Sequence, residues 1–282
     1  MGKFTGVLLA SDFDNTIVDT ASSFRGGLDM PAPSERTLEA LDYFMKNGGA
    51  FTVATGRALA SFQRLVDGVP MNVPAVLCNG AALYDFKTGE YLETNMLDRE
   101  ACRRAQVMLD AHPAVAVEAY HIGNVIHAVH PNDITRHHEH ITHVGVTEAP
   151  SLLEVPVPLG KLMFEGEHGE LETIRDWFAA QGWAGEYELI FSDPTLLEMT
   201  ALGANKGAMV LRLAERLGVS REHVYCAGDE SNDLSMLAVA AEGFAPANCV
   251  SLVRDCGATI VADARESALA DVVRRLAEKY PG

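Results

Sequence analysis

Short apolar runs alternate with stretches of helical spacing through the first third of the chain. Residues 6–11 read as a buried strand and 34–47 as a helix, with Ser34 as N-cap and Gly48-Gly49 as the stop. A strand at 50–54, a helix over 59–67 and a strand at 75–78 follow. Strands joined by single helices predict a parallel sheet with right-handed crossovers. The middle third changes character. Residues 82–86 and 90–92 read as a hairpin turning at Thr88-Gly89. Helices are expected at 99–111 and 170–181, and strands at 115–120, 125–130, 161–165, 187–191 and 196–199. After residue 200 the first rhythm returns, with helix 206–217, strand 223–227, helix 232–241, strand 258–261 and a last helix at 267–279. The two ends therefore belong to one doubly wound α/β domain, and an α+β module interrupts it. The expected division is 1–82, 83–196 and 197–282.

Composition narrows the partners. A 282-residue chain that is 48% hydrophobic, with mean hydropathy +0.05, suits a globular protein with a substantial core. Its net charge of −17 argues against nucleic acid or an anionic membrane, because both need a basic footprint. No apolar stretch reaches the length that spans a bilayer, and the N-terminus lacks the pattern of a secretory signal. Cys78, Cys102, Cys226, Cys249 and Cys256 are odd in number and hold no C-x-x-C pair. A disulfide framework is not expected, and a cytoplasmic location is.

The candidate chemistry lies at strand ends. Asp12 and Asp14 stand two residues apart just beyond the first strand. In an open parallel sheet ligands bind beyond the carboxyl ends of strands. Two carboxylates so close repel, and a divalent cation with a taste for hard oxygen, such as Mg2+, resolves the conflict. Strand 50–54 runs into Thr55-Gly56-Arg57, and strand 223–227 into Gly228-Asp229 with Asn232 and Asp233 one helical turn on. Between them Lys206 opens a helix, where the helix dipole disfavours a cation that lacks an anionic partner. Taken singly, each residue also suits a humbler role. Asp12, Asp14 and Asp229 would each serve as turn or helix caps, and Lys206 as a surface lysine.

Together, and in this order, the four motifs resemble the haloacid dehalogenase superfamily of phosphatases, in particular its Cof-like branch with a large inserted cap (type IIB). The resemblance covers nearly the whole chain. It implies a Rossmann-like core and Mg2+-dependent hydrolysis of small phosphate esters, such as sugar phosphates, phosphorylated cofactors or nucleotides. It makes Asp12 the nucleophile that forms an aspartyl-phosphate, and Asp14 the general acid and base. Thr55, Gly56, Lys206 and Asn232 would bind the phosphoryl group, with Thr55 and Lys206 assisting catalysis. Asp12, Asp14 through its backbone carbonyl, Asp229 and Asp233 would surround the metal. Asn15 replaces the family's usual Gly, and Asn tolerates the left-handed turn needed there. Arg57 reads as a substrate contact, a solvated helix-start arginine or half of a core–cap ion pair, and stays outside the catalytic set. A phosphomutase on the same scaffold, or a non-catalytic phosphometabolite-binding regulator, are the rival readings.

The inserted module carries a second anomaly. Eight of the ten histidines lie between His112 and His143, and the pairs 137/140 and 140/143 suit one helix face. A transition-metal site, a polar helix face and substrate contact are all compatible with that spacing.

Overall fold

The computed structural model describes residues 2–25, 30–121, 123 and 125–281. The chain opens with β1 (Leu8–Ser11), α1 (Thr20–Arg25), α2 (Glu35–Lys46), β2 (Ala50–Val53), α3 (Leu59–Phe62) and β3 (Ala75–Leu77). A hairpin follows, β4 (Ala82–Asp85) and β5 (Glu90–Thr94). The insertion contains α4 (Arg99–Ala111), β6 (Ala116–Tyr120), β7 (Ile126–Val129), α5 (Asp133–Thr142), β8 (Thr147–Glu148), β9 (Lys161–Glu165), α6 (His168–Ala179), β10 (Tyr187–Asp193) and β11 (Leu196–Ala201). The chain then returns with α7 (Lys206–Leu217), β12 (Val224–Ala227), α8 (Leu234–Val239), β13 (Glu242–Pro246), α9 (Ser251–Arg254), β14 (Thr259–Val261) and α10 (Ala268–Lys279).

The core sheet is parallel in the order β14-β13-β12-β1-β2, and a parallel bridge from Ala54 to Val76 carries it on to β3. Its strands are apolar on both faces because both are covered. Leu9, Phe51 and Val53 pack with Leu41 and Phe44 of α2 and Leu269, Val272 and Leu276 of α10. Leu8, Ala10, Val224 and Cys226 pack on the other side with Val210 and Leu213 of α7 and Leu237 of α8. Alternate residues of β1 thus enter different cores, which is the signature of a doubly wound sheet.

The insertion has its own antiparallel sheet, β10-β11-β9-β6-β7, with β8 added in parallel at the edge. Val117, Ala119, Leu162, Phe164, Leu197 and Met199 face α4 and α6 in a separate core. Both expected boundaries fall inside strands. Leu83 lies in β4 opposite Val76 of β3, so the hairpin pairs with the core rather than with the module, and Leu196 opens β11. The pairing pattern changes instead after Thr94 and after Ala201.

Two helices are shorter than their spacing suggested. The expected 59–67 helix stops at Phe62 and resumes only as a tight turn at Val66–Gly68. The expected 232–241 helix starts as a tight turn, Ser231–Asp233, before α8. Among the described residues no helix is long and apolar enough to cross a membrane.

Candidate active site

β1 and β12 are neighbours from which the chain departs in opposite directions, β1 toward β2 and β12 toward β13. At such a switch point the loops leaving the two carboxyl ends part and open a crevice. Asp12 and Asp229 stand in it. The Asp12 amide still donates to the Ala227 carbonyl at 2.8 Å, so the main chain that carries this carboxylate is held against β12 as it leaves β1. Lys206 enters as the first residue of α7, where Asn205 caps the helix by accepting from the Ala208 amide at 2.8 Å. The Lys206 ammonium is wholly buried and donates to Asp12 Oδ1 at 2.7 Å and Asp233 Oδ1 at 2.6 Å. These two carboxylates are the anionic partners that a lysine at a helix start requires. The other oxygen of Asp233 accepts from the amides of Asp229 (2.8 Å) and Glu230 (3.0 Å). Gly228 makes this possible, since a Cβ there would lie 2.4 Å from the Asp233 carboxyl carbon.

Asp12, Asp229 and Asp233 offer oxygens within 4.8 Å of one another, and all three are buried. One ammonium against three carboxylates leaves excess negative charge where water cannot screen it. Burial pushes Asp12 up to about 7 against the pull of Lys206, and Asp233 and Asp14 add to the rise. Burial, with Asp12 and Asp233, likewise holds Asp229 well above the usual carboxylate range. Burial works against protonation of Lys206, but Asp12 and Asp233 outweigh it and keep the ammonium charged. Thr16 donates to Asp229 Oδ1 at 2.8 Å, and Asn232 Oδ1 is buried without a hydrogen-bond partner among the described residues. This oxygen-only, over-charged donor set suits a hard divalent cation such as Mg2+.

The rim holds the rest of the expected set. Both oxygens of Asp14 accept from Arg57, at 2.7 Å from Nε and 2.7 Å from the terminal nitrogen, in a bidentate pair. Asn15 adopts φ 53°, as its place in the turn required, and its side chain accepts from the amide of Ala21 at 2.9 Å. Thr55 is buried, and its hydroxyl accepts from the Arg57 amide at 3.1 Å. A Cβ on Gly56 would lie 3.1 Å from Asn79 Oδ1. Asn79 fixes the amide of Asn232, which donates to it at 3.0 Å. Asp12, Asp14, Gly56, Asp229 and Asn232 line one cleft of about 270 Å3, while Lys206, Asp233 and Thr55 lie behind its floor.

The insertion forms the facing wall. Along β9 the residues alternate, so Leu162 and Phe164 enter the module's core while Lys161, Met163 and Glu165 share the opposite face. Tyr120 and Glu118 of β6 and Leu196 and Glu198 of β11 lie on that face as well. Tyr120, Lys161, Met163, Leu196 and Glu198 line the cleft. Lys161 is 3% exposed and donates to Glu198 at 2.6 Å, and across the gap to the Gly56 carbonyl at 2.9 Å. Glu198 in turn accepts from Asn79 at 3.0 Å. One chain of polar contacts therefore ties the insertion to the loop after β2. Deeper on the same face, burial and the neighbouring Glu118 push Glu165 up to about 8.

The sequence singled out neither Lys161 nor Glu198, and it left Arg57 ambiguous. The signal for Lys161 was its charge at the start of a run that is otherwise apolar, at a position whose neighbours alternate between two faces. Among the described residues, the three-residue ligand group in the insertion does not use the expected 137/140 or 140/143 histidine pairs. His138, between them, is the histidine grouped with Glu118 and Glu165.

Comparison with known proteins agrees with this architecture. The profile of the haloacid dehalogenase-like hydrolases matches residues 9–273. The chain is 23% identical over 267 residues to the 5-amino-6-(5-phospho-D-ribitylamino)uracil phosphatase YcsE of Bacillus subtilis, covering 95% of this chain and 94% of that one. It is also 23% identical over 279 residues to the pyridoxal phosphate phosphatase YbhA of Escherichia coli, covering 94% and 97%. Among solved structures, a haloacid dehalogenase-like hydrolase from B. subtilis superposes with a TM-score of 0.81 at 20% identity, covering 95% and 99%. The HAD subclass IIB sugar phosphatase BT4131 superposes with a TM-score of 0.79 at 20% identity, covering 96% and 98%.

Proposed function

Because the chain belongs to the haloacid dehalogenase-like hydrolases, we propose that it is a Mg2+-dependent phosphatase of small phosphate monoesters working through an aspartyl-phosphate on Asp12. The observation that carries this reading is the buried Asp12 at the β1/β12 switch point, with Lys206 2.7 Å from one of its oxygens. An oxygen of Asp12 attacks phosphorus, and the bond to the ester oxygen breaks. Asp14 supplies the proton that the departing alkoxide takes up. Water then attacks phosphorus, Asp14 takes its proton, and inorganic phosphate leaves as the Asp12 bond breaks. Asp14 is held by Arg57 in the arrangement seen, so proton delivery requires that pair to loosen as substrate enters.

Asp12, the backbone carbonyl of Asp14 and Asp229 would hold the cation. It would supply positive charge for the phosphate dianion and for the charge that develops in the transition state. Asp233, expected beside it, spends both oxygens on Lys206 and two amides, so its part in this reading is to position Lys206 and the Asp229 turn. The facing wall of Tyr120, Lys161, Met163, Leu196 and Glu198 would receive the leaving group. A cleft of about 270 Å3 suits a small ester. The relatives named for a ribitylaminouracil phosphate and for pyridoxal phosphate point the same way.

The test is phosphate release by the purified chain from a panel of sugar, nucleotide and cofactor phosphates. At least one ester should turn over with Mg2+, and chelator should stop it. Phosphate moving between positions of one sugar, with no free phosphate, would instead identify a mutase. Binding without any turnover would identify a regulator.

A further inference from the structure

The insertion gathers a second set of ligand-type side chains that the proposed reaction leaves idle. Glu118 of β6 and Glu165 of β9 project from the same sheet face at diagonal positions, because Ala116 is the residue paired with Glu165. Both are buried, 1% and 0% exposed. Glu118 Oε2 accepts from the Tyr120 hydroxyl and lies 3.0 Å from His138 Nδ1. Glu165 Oε2 accepts from the Thr135 hydroxyl. The remaining oxygen of each, Glu118 Oε1 and Glu165 Oε1, is buried with no hydrogen-bond partner among the described residues. His138 Nδ1 lies 3.9 Å from that orphaned oxygen of Glu165, and the ligand atoms of the three residues all fall within 4.8 Å of one another.

Among the described residues, the ion pairs of Glu118 and Glu165 are to His138 alone. Lys161, the nearest lysine on the same face, is committed to Glu198 and the Gly56 carbonyl. Arg136 on α5 is committed to Glu139 and Glu148. Two buried carboxylates with idle oxygens are costly unless something positive meets them.

The cluster is also held in place. Asn132 caps α5 by accepting from the Ile134 and Thr135 amides, while its own amide donates to the Glu165 carbonyl at 3.0 Å and the Ala114 carbonyl at 3.2 Å. The start of α5 is thereby pinned to the strand that carries Glu165, and His138 follows within the next two turns. Such an arrangement fixes a ligand set before any ligand arrives.

We propose that Glu118, His138 and Glu165 form a divalent transition-metal site in the insertion, separate from the oxygen-only site of the core and taking Zn2+ or an ion of similar preference. One imidazole nitrogen with two carboxylates suits a borderline ion rather than Mg2+ or Ca2+. The ion joins β6, β9 and α5. His138 and Tyr120 border the cleft together with Ile141 and Thr142 of α5, so its occupancy fixes one wall of the leaving-group chamber.

The experiment uses the full chain with Asp12→Asn and Asp229→Asn, which remove two of the three buried carboxylates of the core cluster. After chelator treatment and dialysis, Zn2+ is titrated by calorimetry, and the melting temperature is followed with and without Zn2+. One equivalent should bind and raise the melting temperature. Adding His138→Ala, or separately Glu165→Gln, should weaken that binding by about tenfold or more and remove the thermal shift. His138 is partly exposed, so its replacement leaves the fold readable by circular dichroism even if the Glu165 change does not. Absence of Zn2+ binding in the starting protein overturns the proposal. So does an equivalent that survives both further changes, since it then belongs to the exposed histidines of α5.

Discussion

The floor and the facing wall of the cleft are built on different plans. The floor draws its residues from four distant stretches of chain, each at a strand end or a helix start, and it packs Asp12, Asp229 and Asp233 around Lys206. The wall draws its residues from alternate positions on neighbouring strands, and its buried pair, Lys161 with Glu198, is matched one to one. Loops at strand ends can bring several charges to one point. A sheet face spreads its side chains over a surface at the strand spacing. The floor is therefore suited to the phosphoryl group that every substrate shares, and the wall to the leaving group that differs between them.

The comparison is sharpest at Asp12. Asp12→Asn keeps the shape but removes the proposed nucleophile, so turnover of every ester should fall by about 10^4-fold or more while circular dichroism and melting stay near those of the parent. A folded Asp12→Asn variant with near-normal kcat would break the assignment of chemistry to the floor. Next in size is Lys206→Ala. It leaves Asp12 and Asp233 buried without their cation, which should cost about 3–5 kcal/mol in denaturant unfolding. It should also lower kcat/KM for all esters in parallel, by about 10^2-fold. The smallest effect belongs to the wall. Lys161→Met keeps the side chain's length and removes the contacts to Glu198 and Gly56. Ratios of kcat/KM between esters should shift by about tenfold, with little change in the best substrate's kcat. If the panel instead scales uniformly, the wall does not select.

This division of labour also explains what could be read from the chain. Helices α4 and α7 occur at the expected residues because each joins an amphipathic pattern to a polar N-cap, Asp98 and Asn205. The floor was legible because its residues sit beside Gly, Thr or Asn punctuation at the ends of apolar runs. The wall was legible only as strands. Lys161-Leu-Met-Phe-Glu165 announces two faces, but which one looks at the cleft is decided by α4 and α6 covering Leu162 and Phe164. The pairing of Lys161 with Glu198 and of Arg57 with Asp14 depends on contacts between residues far apart in the chain, which periodicity does not encode. Helix α5 is hard to read as an element because Thr135 is its one buried residue, leaving little apolar stripe; its clearest signal is the Asn132 cap. The hairpin β4–β5 reads as part of the insertion because a hairpin breaks the βαβ rhythm, yet its first strand pairs with β3.

The central position of β1 has a consequence for biogenesis. Leu8 pairs on one side with Ala50 and on the other with Val224. A growing polypeptide can pair the first edge early, but the second stays open until the ribosome has passed β12. Meanwhile the insertion, which has a core of its own, can complete its sheet once Ala201 has emerged. Pairings so remote in sequence are slow to nucleate and expose an unpaired edge to other chains. The proposed nucleophile thus lies beside a seam that cannot close until the chain beyond the insertion has been made, and catalytic competence waits for it. Partly synthesised or truncated chains lacking β12 should be inert and prone to aggregate, whatever the state of the insertion.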